Sequence, residues 1–177
     1  RIFDDIVASL PSLEGKSVAI TGTTSGTGYW TALVAAQKGA AQVFLLNRSS
    51  FRTRPALTDI EEAAKPMGTK VISVDCDLLS FASVRAAADR VGVLCPHGLD
   101  VLCCNAGIMA MADERTVDGF DIQMQCNHLS HFLLTLRLLP ALGAASARRG
   151  DARVVQHSSG ARFFPLGGYP FGGQHFC

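Results

Sequence analysis

Lysine is absent beyond position 70. The 177-residue chain carries four lysines (Lys16, Lys38, Lys65 and Lys70), two tyrosines (Tyr29 and Tyr169) and one tryptophan. It also lacks charge of one sign: sixteen Lys and Arg against fifteen Asp and Glu leave a formal net charge of +1. That excludes a basic footprint for nucleic acid and a polybasic patch for an anionic membrane. No run reaches the ~18 apolar residues of a membrane helix, since the richest, His131 to Ala145, is interrupted by Arg137 and Pro140. Asp4 and Asp5 break the first apolar stretch, so no secretory signal is expected. The cysteines, at 76, 95, 103, 104, 126 and 177, form no Cys-x-x-Cys pair. They read as small buried hydrophobes in a reduced compartment, with a cytoplasmic location expected. His128 and His131 lie near Cys126, but no carboxylate or fourth ligand follows at a usable spacing, so no metal is expected. The chain starts with Arg1 rather than Met, and a piece of a longer protein is expected.

What is present is a normal globular composition, 48% hydrophobic and 18% charged, enough for one domain with a sizeable core. Strand and helix patterns alternate. Ser17 to Thr21, Gln42 to Leu46, Lys70 to Asp75, Leu99 to Cys104 and Arg153 to His157 read as five strands. Gly26 to Lys38, closed by Gly39, and Pro55 to Lys65 read as helices. Ser80 caps a third, with Phe81, Val84, Ala88 and Val91 on one face, and a long fourth runs from about Val117 to Leu139. Strands apolar on both faces imply a parallel sheet covered by helices on both sides, an α/β doubly wound (Rossmann) fold with its ligand crevice at the carboxyl ends of the strands. Cys103 and Cys104, adjacent in a strand, should face opposite sides. Residues 160–177, with five Gly, two Pro and four Phe, read as an irregular loop closing a single domain, 1–177.

The strongest motif is Thr21-Gly-Thr-Thr-Ser-Gly-Thr-Gly28, between the first strand and the first helix. Gly22 permits a tight turn, Gly26 lets the backbone approach a pyrophosphate and Gly28 allows close packing of helix on sheet. Thr24, Ser25 and Thr27 complete the loop, and the helix N-terminus offers N–H groups and a positive dipole end to phosphates. The strand before and the helix after are the context a dinucleotide site requires.

With this loop, Asp77-Leu78, Asn105-Ala-Gly107, Asp118-Gly-Phe, Asn127-His-Leu-Ser-His-Phe-Leu-Leu-Thr135 and Arg153-Val-Val-Gln-His-Ser-Ser159 follow in order. Together they resemble the short-chain dehydrogenase/reductases, in the retinol dehydrogenase-like branch, from about Gly15 to Ser159. The resemblance implies that Asp77 accepts from the adenine amino group beside the Leu78 backbone. It also implies that Asn105, Ala106 and Gly107 steady the sheet and line the adenosine ribose. By the same resemblance the main-chain carbonyl of Asn127 holds a water in a proton relay, and Ser159 holds and polarises the substrate carbonyl, with Ser158 the neighbouring alternative. A helix-entry role for Asp77 and a buried amide role for Asn127 are the plainer readings.

An NAD site would want an acidic residue at the end of the second strand. The sequence has Asn47-Arg48 there and no carboxylate before Asp59, while Arg52 and Arg54 add positive charge. A guanidinium suits a 2′-phosphate, so the expected cofactor is NADP(H). One departure matters: the family's catalytic tyrosine, with a lysine four residues on, has no counterpart, because Tyr169 is followed by Gly173. The expectation is therefore the cofactor half of an NADP(H)-dependent oxidoreductase acting on a small lipophilic carbonyl or alcohol, without its Tyr/Lys pair. It would form a homodimer as its relatives do, and its parent would be cytoplasmic or membrane-associated. A non-catalytic NADP-binding regulatory protein and a light-dependent protochlorophyllide reductase relative are the alternatives.

Overall fold

The structure is a computed structural model that describes residues 2–159, with backbone alone for residues 2–4. The loop expected over 160–177, and Tyr169 within it, lie outside the described residues.

Five short apolar runs form the sheet: β1 (Ser17–Thr21), β2 (Gln42–Asn47), β3 (Lys70–Asp75), β4 (Val101–Cys104) and β5 (Arg153–Gln156). All pair in parallel, in the order β3-β2-β1-β4-β5, with Val18 opposite both Val43 and Val101. This is the doubly wound sheet expected from the alternation of elements. The winding reverses between β1 and β4, where a crevice must open.

Side-chain alternation divides the core into two layers. Val18, Ile20, Val43, Leu45 and Cys103 pack against α2 (Gly26–Gln37) and α3 (Thr53–Ala64), where Ala32, Ala35 and Ala36 let the helix approach the sheet closely. Ala19, Phe44, Leu46, Leu102 and Cys104 face α4 (Phe81–Leu94) and α6 (Ser130–Arg149). Cys103 and Cys104 thus occupy opposite layers. Ser80 caps α4 by accepting the Ser83 N–H.

Three elements differ from expectation. Helix α1 (Ile2–Ser9) has no counterpart in the sequence reading; its carboxyl end is held by Lys38 Nζ, which donates to the carbonyls of Val7 and Ala8. The long helix begins at α5 (Ile122–Met124), not near Val117, because Asp118-Gly119 makes a turn and Asp121 is the N-cap, accepting the Met124 N–H at 2.7 Å. After one π turn, Gln125–Leu129, it continues as α6 through Arg137 and Pro140 to Arg149. Pro140 lies on the solvent face, where water can satisfy the carbonyl that loses its N–H partner. The continuous helix, Ile122–Arg149, is therefore long and apolar enough by length and composition to cross a membrane, correcting the expectation of no such span. Its stripe of Leu134, Leu138 and Leu142 is buried in the core.

At the amino ends of the strands, Asp100 is 3% exposed. It accepts the Ser17 N–H at 2.7 Å and pairs with the Arg149 guanidinium through both oxygens. Asp100→Ala should leave a half-buried guanidinium and a buried N–H without their acceptor. The expected cost is about 3 kcal/mol, or roughly 6–12 °C in Tm, measured by thermal unfolding followed by circular dichroism.

Candidate functional site

A cleft of about 1080 Å³ opens at the carboxyl ends of the strands, across β1 and β4. Its glycine turn obeys distinct constraints at each position. Gly22 has φ +71°, and a Cβ there would lie 2.9 Å from Cα and Cβ of Ala106. Gly28 has less room still, since a Cβ would come within 2.3 Å of Asn105 Nδ2 and of the Gly22 carbonyl oxygen. At Gly26, φ +60°, a Cβ would meet nothing within 4 Å, so glycine is favoured there by its left-handed backbone and not by crowding. Gly26 and Gly28 shape the loop without lining the cleft, whereas Gly22, Thr24, Ser25 and Thr27 line it. The first turn of α2 has neither a side-chain cap nor an acidic residue, so its positive dipole end is left for an anion. These features fit a dinucleotide pyrophosphate.

Asn47 holds this loop in place. It is buried; its Oδ1 accepts the Thr23 N–H at 2.7 Å and its Nδ2 donates to Thr23 Oγ1 at 2.8 Å. Sequence reasoning used Asn47 only as a missing acid and overlooked this role. Next to it, exposed Arg48 lines the cleft with Ser50, Phe51 and Arg52, and the Arg52 guanidinium lies 5.4 Å from the Phe51 ring centroid. Arg54, counted with them in the sequence, sits in the first turn of α3 and does not line the cleft. Asp75, at the end of β3, accepts the Ser49 N–H at 3.1 Å and so braces the segment carrying Arg48. That carboxylate was not legible along β2 because it comes from the neighbouring strand.

Asp77 and Leu78 line the cleft beyond β3. Asp77 Oδ1 accepts the Leu79 N–H at 2.9 Å, and the Leu78 carbonyl accepts from Ser130 Oγ at 2.6 Å. The helix-entry role falls to Ser80, not Asp77. Burial pushes the Cys76 and Cys126 thiols, which also line the cleft, up to about 12 and about 11, so neither is a ready nucleophile.

On the other side of the switch point, Asn105 joins three strands. Its Nδ2 donates to the Thr21 carbonyl at 2.9 Å and its Oδ1 lies 2.8 Å from His157 Nδ1. Ala106 and Gly107 follow along the cleft wall. Asn127, in the π turn, clasps the next residue: its Oδ1 accepts the Ile108 N–H at 2.8 Å and its Nδ2 donates to the Ile108 carbonyl at 2.9 Å. It is exposed, which corrects the buried-amide alternative. Ser158 and Ser159 both line the cleft at the end of β5, and Ser159 retains its assignment through the family resemblance alone. His128 and His131 do not converge: His128 stacks on Phe132, and the His131 ring lies against Thr21. Among the described residues no three His, Cys, Asp or Glu come together as a metal site.

The short chain dehydrogenase family model matches residues 16–171. An uncharacterized oxidoreductase of Schizosaccharomyces pombe is 39% identical over 159 residues, covering 89% of this chain and 44% of the relative. Retinol dehydrogenase 12 of Homo sapiens is 37% identical over 160 residues, covering 90% and 47% respectively. The chain thus spans about half the length of the curated relatives it matches. Among solved structures, the Pseudomonas aeruginosa RhlG/NADP active-site complex has TM-score 0.66 and 30% identity, over 81% of this chain and 54% of that one. An NADH-dependent reductase complexed with NAD has TM-score 0.65 and 26% identity, over 80% and 58%. On the family match and the fold together, the chain belongs to the short chain dehydrogenase family, whose members are oxidoreductases.

Proposed function

We propose that the protein supplies the cofactor half of an NADP(H)-dependent oxidoreductase that interconverts a carbonyl and an alcohol on a lipophilic substrate. The observation that carries this is the charge at the far end of the cleft. Among the described residues, Arg48 and Arg52 line the cleft where the second strand ends, and Asp77 is its sole carboxylate. Asn47, where an NAD site would place an acid, is committed to the glycine loop. The turn from Gly22 to Gly28 and the α2 N-terminus would hold the pyrophosphate, Asp77 and Leu78 the adenine, and Asn105 to Gly107 the adenosine ribose. The nicotinamide supplies hydride when bound. Ser159, with Ser158 beside it, would hold and polarise the substrate oxygen, and Asn127 would orient a water at its carbonyl. Ile108 and Met109 give the cleft an apolar wall suited to a lipophilic substrate, and the likeness to retinol dehydrogenase 12 supports that class. A homodimer in the cytoplasm, or on a membrane by way of a longer parent, belongs to the same proposal.

NADPH should bind in preference to NADH by roughly 10- to 100-fold, from charge-assisted bonds between Arg48 and the 2′-phosphate. Arg48→Asp should reverse the order. Isothermal titration of both cofactors against the chain and the variant decides this; equal affinities in the unaltered chain would refute the NADP assignment.

A further inference from the structure

We propose that His131 is a positioning residue of the cofactor cleft, a bridge in its Nδ1–H tautomer between the Asn127 carbonyl and the Thr21 hydroxyl. It rests on the cofactor reading above. His131 is 2% exposed, a polar ring in the buried stripe that Leu134, Leu138 and Leu142 continue. Its Nδ1 lies 3.3 Å from the Asn127 carbonyl oxygen, which can only accept, so Nδ1 carries a proton. Its Nε2 lies 2.9 Å from Thr21 Oγ1. That oxygen already accepts the Asn105 N–H at 2.9 Å and the Ala106 N–H at 3.0 Å, which leaves only its own proton to offer. The other acceptor near it, the Cys103 carbonyl, is 3.5 Å away. Nε2 is therefore the acceptor, and the ring is neutral. Burial, which lowers the His131 pKa, acts in the same direction.

The result is an unbroken chain of bonds from a helix to a strand end. Asn105 and Ala106 donate to Thr21, Thr21 donates to His131, and His131 donates to Asn127, whose side chain clasps Ile108. The segment from Asn105 to Ile108 is thereby fixed at both ends by the π turn and the start of α6. No other polar side chain performs this task between β1 and α6 among the hydrogen bonds described. Without the Nε2 acceptor, the Thr21 hydroxyl loses its partner, and the two N–H groups that place the ribose-lining segment lose their fixed acceptor.

Three measurements test this. On the chain without cofactor, long-range proton–nitrogen NMR of the imidazole should show a protonated Nδ1 and an unprotonated Nε2 at neutral pH; the opposite tautomer would overturn the bridge. His131→Phe keeps the ring and removes both bonds, and should weaken NADPH binding about 10-fold. His131→Gln, whose Oε1 reaches toward Thr21 as an acceptor, should restore the affinity to within about threefold of the unaltered chain. Equal affinity for NADPH in the Phe variant and the unaltered chain, or equal loss in the Phe and Gln variants, would overturn the positioning role. Circular dichroism of each variant guards against misfolding, and should the Phe variant not fold, the Gln affinity and the tautomer decide. An unaltered chain that binds no NADPH would overturn the proposed function itself, a failure distinct from a wrong tautomer.

Discussion

Supplied with NADPH and a panel of lipophilic aldehydes, the 177-residue chain is expected to show no measurable turnover. Hydride addition to a carbonyl generates an alkoxide-like oxygen that needs a proton donor within hydrogen-bond reach. Ser158 and Ser159 line the cleft and can polarise that oxygen, but a serine hydroxyl is a poor acid. Burial pushes the Cys76 and Cys126 thiols up to about 12 and about 11, which makes them weak acids at neutral pH as well. No lysine follows Lys70, so nothing of that type can lower a tyrosine's pKa near the end of β5. Loss of general acid catalysis alone is worth about 10²–10⁴ in rate. The assay is NADPH oxidation followed by absorbance. Turnover that survives Tyr169→Phe would show a proton donor other than Tyr169. Turnover abolished by that change would make Tyr169 the acid.

Gly28→Ala should cost about 100-fold in NADPH affinity. The added Cβ would lie 2.3 Å from both Asn105 Nδ2 and the Gly22 carbonyl oxygen. Neither can yield freely: Asn105 is tied to Thr21 and His157, and the Gly22 N–H donates to the Leu46 carbonyl at 3.0 Å. The glycine loop and the Asn105 segment must therefore separate, and losing one charge-assisted bond to the pyrophosphate, roughly 1.5–3 kcal/mol, is enough for a loss approaching that size. Gly26→Ala provides the contrast, since a Cβ there meets nothing within 4 Å and the cost is left-handed backbone strain of about 1–2 kcal/mol. Fluorescence titration with circular dichroism separates the two. A folded Gly28→Ala variant with unchanged affinity would contradict the close approach.

The strands were legible because runs such as Ser17–Thr21 and Gln42–Asn47, buried in the interior of the parallel sheet, are bounded by turn residues. The glycine loop was legible for the same local reason. The contacts that hold the loop were not, because their partners are far apart in sequence: Asn47 lies 24 residues from Thr23, and His131 lies 110 from Thr21. A signal existed for His131, a polar ring on the buried helical stripe that Leu134, Leu138 and Leu142 continue. Helix boundaries failed where one residue competed with another. Asp121 captured the N-cap from the Val117 region, and Pro140, placed on the solvent face, did not stop α6. The Asp75 carboxylate that accepts the Ser49 N–H depends on β2–β3 register, with Asn47 opposite Asp75, which no local pattern reveals.

The most direct measurement is a crystal structure of the chain grown with NADP⁺. The pyrophosphate should lie on the turn from Gly22 to Gly28 at the α2 N-terminus, the adenine beside Asp77 and Leu78, and the 2′-phosphate within hydrogen-bond reach of Arg48. A dinucleotide bound elsewhere, or one in this cleft with its 2′-phosphate turned away from Arg48 and Arg52, would contradict the account.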